Sequence, residues 1–365
     1  MEIPNKKKRV ESLNLLKVFL TIFVIILHLN NSHGGKALLY SVGFNKEIVL
    51  LFEAITICAV NCFILISGYF LSNHEQRDIS KIVYLILTVS IFNFIIGLCI
   101  QLLNISPFSI KQLIIYLIPS NYFIWLYGVL YLISPYINKC IGNLDKVKFT
   151  KFMILLIILF SVWPTILDFI TNITGVGFSG MYTVNASSNE AGYTLVWFIV
   201  LYCSGAYLRK YSLNQKISYM LTVVSIILIY LALHLTMTVI YYDNILVYVA
   251  SISIFSIFEK IKLKESKIIY MLSKKSFDIY VIHGCLYVLW TSLNLKNIYT
   301  NNIVIFILYY IGMFVIMYLV SLVIAIIGDF LLYPLRKVVE ICVSRINIQL
   351  NRYIDKKFME GNSNE

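Results

Sequence analysis

His28 lies near the end of the first long apolar run of this chain, and Lys17 precedes it by eleven residues. An imidazole can take a proton from a hydroxyl near neutral pH and pass it on, and an ammonium can hold an anion. Eleven residues make about three turns of α-helix, so the two side chains share a face and stand roughly 16 Å apart along the axis. Asn14 and Thr21 fall close to the same stripe. A helix over 13–29 therefore turns a polar seam away from lipid, and ionisable groups in hydrocarbon are costly enough to be functional suspects. A histidine that only bonds a neighbouring helix, and a lysine that snorkels to the inner surface, are the plainer alternatives.

A second polar stripe comes late in the chain. Ser276, Tyr280, His283 and Tyr287 are spaced four, three and four apart and share one helical face, as the wall of a cavity or as packing. Asn61 and the run Ser67-Gly68-Tyr69 occupy the second apolar segment, where Ser-Gly permits a close helix crossing or a local break. Glu53, Asp168 and His234 sit within or at the rims of spans as relay or contact residues. There is no phosphate-binding glycine loop, zinc pattern or nucleophile elbow, since Gly177-Phe178-Ser179-Gly180 lacks the required final glycine. The seven cysteines are scattered and odd in number, which fits neither a disulfide framework nor a metal site.

These residues must be positioned by membrane helices. Hydrophobic residues make up 59% of the 365-residue chain and charged ones 13%, and the mean hydropathy of +0.82 is far from that of a soluble domain. Ten spans are predicted, at 13–29, 48–71, 79–103, 121–141, 150–172, 192–208, 217–240, 244–258, 277–294 and 303–332, in an all-α polytopic bundle. A re-entrant piece before Pro119 is a further option in 112–141. The first run has polar residues in its core and no small-residue cleavage site, so it is expected to remain as a helix.

With the N-terminus inside, twenty-five of the thirty Lys and Arg fall on the cytoplasmic side, including Lys6 to Arg9, the 260–275 loop and the tail. Lys36, Lys46, Lys111 and Lys296 fall outside, and Lys17 lies within the first helix. This asymmetry predicts two cytoplasmic termini. It also accounts for the net charge of +12 without any nucleic acid partner. A basic inner face suits anionic lipid headgroups or a polyanionic coenzyme A thioester. The chain divides into a membrane unit, 1–332, and a basic amphipathic cytoplasmic tail, 333–365, in which Leu335, Val338, Val339, Cys342 and Ile346 recur at helical spacing. The outer loop 172–191 lacks Lys and Arg, and reads as a lid, a saccharide-facing surface or a plain connector.

Several segments together resemble the multi-pass acyltransferase 3 family of bacterial membrane proteins. They are Lys17, ten residues, His28, where the family has Arg, ten residues, His; then 61–69 with Ser67-Gly68-Tyr69; Tyr122-Phe123-Ile124-Trp125 with Ser134-Pro135; 202–208; and Ser276 to His283. The resemblance implies a protein of the bacterial cell membrane that moves an acyl group, usually acetyl, from cytoplasmic acyl-CoA (acetyl-CoA) to a hydroxyl of an extracytoplasmic or lipid-linked saccharide, without a resident cofactor or metal. It assigns His28 as general base and Lys17 with Asn14 to the donor. Ser67, Tyr69, Trp125, Tyr280 and His283 are expected to line the cavity. Two departures stand out: Lys17 replaces the arginine and its bidentate fork, and Asn14 stands where an acid is usual. The rival functions are a transporter or flippase of lipid-linked saccharide using the histidines as a proton relay, and a glycan polymerase.

Overall fold

The computed structural model describes residues 10–361 apart from residues 75, 76, 186, 292 and 294. The basic run Lys6 to Arg9 and the end of the tail, 362–365, lie outside the described residues. Among the described residues the fold is all-helical, with no strand. The principal helices are α1 (Glu11–Asn30), α2 (Gly43–Thr56), α3 (Ala59–Leu71), α4 (Ile79–Leu102), α5 (Tyr122–Gly142), α6 (Lys146–Ile157), α7 (Trp163–Thr174), α8 (Leu195–Lys210), α9 (Gln215–Ala232), α10 (Ile245–Lys260), α11 (Lys267–Cys285) and α12 (Ile303–Gly361). Side-chain oxygens start seven of them. Asp78, Asn121, Asp145, Thr194, Asn214, Asn244 and Ser266 each accept a backbone N–H of the first turn of α4, α5, α6, α8, α9, α10 and α11. These bonds satisfy donors that a helix leaves free.

Seven helical stretches are long and apolar enough to cross a membrane, by length and composition: Glu11–Asn30, Gly43–Leu71, Ile79–Leu102, Lys146–Thr174, Gln215–Ala232, Met237–Lys260 and Ile303–Ile346. The other three predicted spans are helical but outside that set. They are α5, α8 and α11, of 21, 16 and 19 residues. The reason is partly their place in the bundle: α8 is almost wholly buried, and α11 buries Lys275, Ser276 and His283. A helix surrounded by protein need not satisfy the apolarity that lipid demands.

The structure also redraws several boundaries. The second predicted span is broken at Ile57–Cys58 into α2 and α3. The ninth starts ten residues early, at Lys267, and ends at Cys285; Tyr287–Thr291 is a separate short turn. The piece before Pro119 is a seven-residue helix, Ile110–Tyr116. α12 runs from Ile303 through Pro334 to Gly361, continuous across residue 332.

The exterior is an apolar belt. Val223, Val224, Ile227, Leu228 and Leu231 of α9, and Leu308, Ile316, Leu319, Val323, Ile327 and Phe330 of α12, are all exposed. Such a surface suits lipid rather than water. At the centre α1 and α11 run parallel. The Glu11 carboxylate accepts the Ser266 N–H at 3.1 Å, so their N-terminal ends meet at the start of α11, where a carboxylate also opposes the positive end of the helix dipole.

α3 and α8 cross with two glycines in the contact. A Cβ on Gly68 would lie 2.1 Å from the Tyr202 carbonyl oxygen, and one on Gly205 2.2 Å from that of Leu65. Small residues here let the backbones touch. Gly68→Ala and Gly205→Ala should each destabilise the fold by about 1–3 kcal/mol, since backbone cannot yield as a side chain does. Gly177→Ala, in open space, should be neutral. Melting temperatures in detergent check this, and unchanged values for the first two would contradict the crossing.

Candidate functional site

The parallel packing of α1 and α11 brings their C-terminal ends together, and with them two histidines 255 residues apart. His28 Nδ1 and His283 Nε2 are 2.8 Å apart. His283 is wholly buried, and its Nδ1 lies 3.0 Å from the Ile279 carbonyl oxygen. A carbonyl only accepts, so His283 carries its proton on Nδ1 and its Nε2 is a lone pair. His28 must then donate from Nδ1, which leaves His28 Nε2 as the unprotonated nitrogen. The local α-helical bond pattern of α11 thus sets the tautomer of a residue on another helix. Tyr287 flanks both imidazoles, with ring centroids 4.7 Å from His28 and 5.6 Å from His283.

Above this pair a buried network holds the end of α1. Asn30 Nδ2 donates to Glu53 at 2.7 Å, and Asn30 Oδ1 accepts from the Tyr310 hydroxyl at 2.7 Å. The turn that follows folds back so tightly that a Cβ on Gly34 would overlap the His28 carbonyl oxygen, at 1.9 Å. His28 is therefore held by its backbone, by its ring neighbours and by the hydrogen bond from Nδ1.

His28 opens into a cavity of about 530 Å³ toward one end of the bundle, lined among others by Asn93, Asn121, Tyr122, Tyr193, Tyr242 and Tyr287. A second cavity, of about 570 Å³, occupies the other end and is lined by Lys17, Ser67, Phe70, Lys81, Lys274 and Arg336, with Asp278 and Glu340. Val24, Val60 and Tyr280 line both. Tyr280 is nearly buried, and its hydroxyl donates to Asn121 Oδ1 at 3.0 Å. That oxygen also accepts the Phe123 N–H at the start of α5, so the Asn121 amide keeps its N–H₂ to donate elsewhere. Tyr280 and the two valines thus face both cavities.

The second cavity is positively charged. Arg336 is held by Glu340 at 3.0 Å, but Lys17 and Lys81 have no salt-bridge partner among the described residues. Lys17 lies over the Phe70 ring at 5.6 Å. Asn14 does not reach this cavity. Its Nδ2 donates to Glu11 at 3.1 Å, the same carboxylate that accepts from Ser266. The acid absent at position 14 is present one turn earlier, engaged with α11 rather than with Lys17.

The structure places His28 and Tyr280 on the lining of one cavity and Lys17, Ser67 and Tyr280 on that of the other. His283, expected to line the cavity, is wholly buried behind His28 and touches neither, because its ring is spent on the bonds to His28 and Ile279. Tyr69 lies outside both linings, its ring tilted against Phe255 and its carbonyl accepting from Arg209 at 2.8 Å. Trp125 is also outside them: it is 46% exposed on the flank of α5, with its indole N–H on the Pro119 carbonyl at 2.7 Å. Sequence reasoning missed Asn93, Asn121, Tyr193 and Tyr242. Asn121 carried a signal as a helix-capping asparagine; the two tyrosines precede helices in unrelated loops and carried none.

The loop from 175 to 194 delivers one of them. Asp168 accepts from Tyr182 at 2.9 Å and from Asn189 at 2.5 Å, pinning the segment that leads to Tyr193. Burial, together with the bond to Asp168, pushes the Tyr182 hydroxyl up to about 12, so it stays a donor across the physiological range. Among the described residues no group of three or more His, Cys, Asp or Glu could hold a metal ion.

Residues 10–325 match the family model described as an acyltransferase domain. No curated protein and no solved structure matches the chain.

The tautomer chain is directly measurable. In ¹⁵N-histidine spectra of the protein, His28 and His283 should both carry hydrogen on Nδ1, with a proton-free Nε2. Removing the acceptor by His283→Leu should abolish the His283 signals and shift those of His28; a His28 already protonated at Nε2 in the intact protein would overturn the assignment.

Proposed function

We propose, for a chain that belongs to the acyltransferase 3 family, an enzyme of the bacterial cell membrane that acylates hydroxyls of extracytoplasmic or lipid-linked saccharide from cytoplasmic acyl-CoA. The protein is a membrane acyltransferase; the donor, the acceptor and acetyl as the group transferred are our reading. The observation that carries it is the free Nε2 of His28, held as a lone pair in a cavity that shares Tyr280 and two valines with a basic cavity.

In this reading α5, α8 and α11 cross the membrane with the other seven stretches, and both termini are cytoplasmic. The positive-inside balance supports that orientation, and it puts the Lys17 cavity inside and the His28 cavity outside. The inner cavity takes the phosphates of the coenzyme near Lys17 and Lys81, as charge attraction favours. Its pantetheine arm carries the thioester toward Tyr280. On the outer side a saccharide hydroxyl gives its proton to His28 Nε2 as its oxygen forms a bond to the thioester carbonyl carbon. The developing imidazolium still donates from Nδ1 to His283, which keeps the ring in place. The N–H₂ of Asn121 is available to the carbonyl oxygen as it gains charge. The C–S bond then breaks, and the proton on Nε2 goes to the departing thiolate.

Lysine serves at position 17 because the task is attraction of a polyanion. A point charge suffices where bidentate geometry is not needed. Glu11, committed to α11, leaves that charge uncompensated.

His28→Ala should lower acyl transfer from acetyl-CoA to surface saccharide by about 10²–10⁴-fold with normal protein levels. Retained transfer would remove the base assignment. Glycan crossing the membrane unmodified, without turnover of acyl-CoA, would instead favour the flippase. Lys17→Gln should raise KM for acyl-CoA by about tenfold, the order of a lost charge contact, while Lys17→Arg keeps it. A Lys17→Gln enzyme with unchanged KM would dissociate Lys17 from the donor.

A further inference from the structure

We infer that the sugar unit received beside His28 is electrically neutral: it carries no carboxylate, phosphate or sulfate near the acylated hydroxyl, and it is held by tyrosine faces. The inference deepens the acyl-transfer reading and rests on it for the identity of the reacting group.

The outer cavity has no Lys, Arg, Asp or Glu among its described lining residues. This is not a consequence of composition, since the cavity on the other side of Tyr280 draws four cations from the same bundle. An anion drawn from water into this cavity must be paired in exchange for the hydration it gives up. Here the only ionisable partner besides tyrosine and Cys285 is His28, whose free nitrogen is an acceptor in the neutral state. It would have nothing to donate to an anionic group. The loop from residue 172 to 191 that leads to this end of the bundle also has no Lys or Arg.

The lining has what a neutral sugar requires. Tyr122, Tyr193 and Tyr242 form a cluster, with ring centroids 4.4 Å apart between the first two and 5.2 Å between the last two, each pair edge to face. Each edge-to-face contact covers one ring face with a neighbour's edge; the faces left over can take the C–H side of a pyranose, and the tyrosine hydroxyls can bond its oxygens. Tyr193, 46% exposed, stands at the entrance. Asn93 and Asn121 supply amides further in. Apolar faces with a few fixed polar groups are the usual construction of a small-ligand site.

The test uses the full chain in lipid discs and two sets of probes: methyl glucoside, galactoside and mannoside, and the matching methyl uronides. Saturation-transfer NMR reports contact with the protein independently of turnover, and acetyl transfer from acetyl-CoA is measured on the same probes. At least one neutral glycoside should show contact through its C–H protons, with its uronide at least about tenfold weaker, the order expected of an unpaired buried charge. Tyr242→Ala and Tyr193→Ala should each weaken that contact, and Tyr242→Phe should retain most of it. A uronide bound as well as its neutral partner overturns the inference, as does contact that survives both alanine variants, or no contact from any neutral glycoside. Contact that follows the tyrosines without any acetyl transfer upholds the neutral-sugar site and rejects the acyl-transfer reading instead.

Discussion

The parallel packing of α1 against α11 is the constraint from which the rest of the structure follows. It is pinned at both ends by hydrogen bonds: Glu11 to the Ser266 N–H at the N-terminal ends, and His28 to His283 at the C-terminal ends. With both ends joined, neither helix can slide by a turn, about 5.4 Å, without breaking both contacts. The register places His28 and Tyr280 at one wall, and it leaves Lys17 a cavity away. Breaking the imidazole pair is costly on the His283 side, since that ring is wholly buried and would lose a partner without replacement.

This arrangement gives the molecule two chemically different ends. One cavity is rich in tyrosine and amides and holds no Lys, Arg, Asp or Glu among its described lining residues; the other carries lysines and arginine. They approach each other at Tyr280, whose hydroxyl is tied to the cap of α5 through Asn121. The same asparagine oxygen starts a helix and fixes Tyr280. A change in how α5 begins would therefore be felt at Tyr280. The close crossing of α3 and α8 at Gly68 and Gly205 serves the same end by bringing the helices behind both cavities into backbone contact.

Asn14, where the family resemblance implies an acid, is accounted for by its neighbours. Asn14 does not leave a gap in the seam, because it bonds Glu11 one turn earlier. Glu11 in turn is occupied at the start of α11 rather than with Lys17. The acid nearest the seam thus serves a helix junction rather than the cation. Asp168, which in sequence was one of several carboxylates at a span rim, holds the loop that leads to Tyr193 through Tyr182 and Asn189.

Much was legible in the residue order. The apolar runs identify a helical membrane protein, because hydrocarbon leaves backbone groups no other partners. Periodicity put Lys17 and His28 on one face and Ser276, Tyr280 and His283 on another, because such faces depend only on local geometry. What periodicity cannot carry is the relation between helices. That His28 meets His283, that a carbonyl of α11 thereby sets the free nitrogen of His28, and that Tyr193 and Tyr242 share its cavity all depend on which helices pack together and in what register. Trp125 and Tyr69 illustrate the same limit: each sits beside a motif, yet the rotation of its helix turns it away from both cavities. The sequence by itself determined the class of protein and the chemistry on each helix face; tertiary packing decided which faces look at one another, because contacts between residues hundreds apart are made by side-chain fit and hydrogen bonding across helices, not by spacing within one.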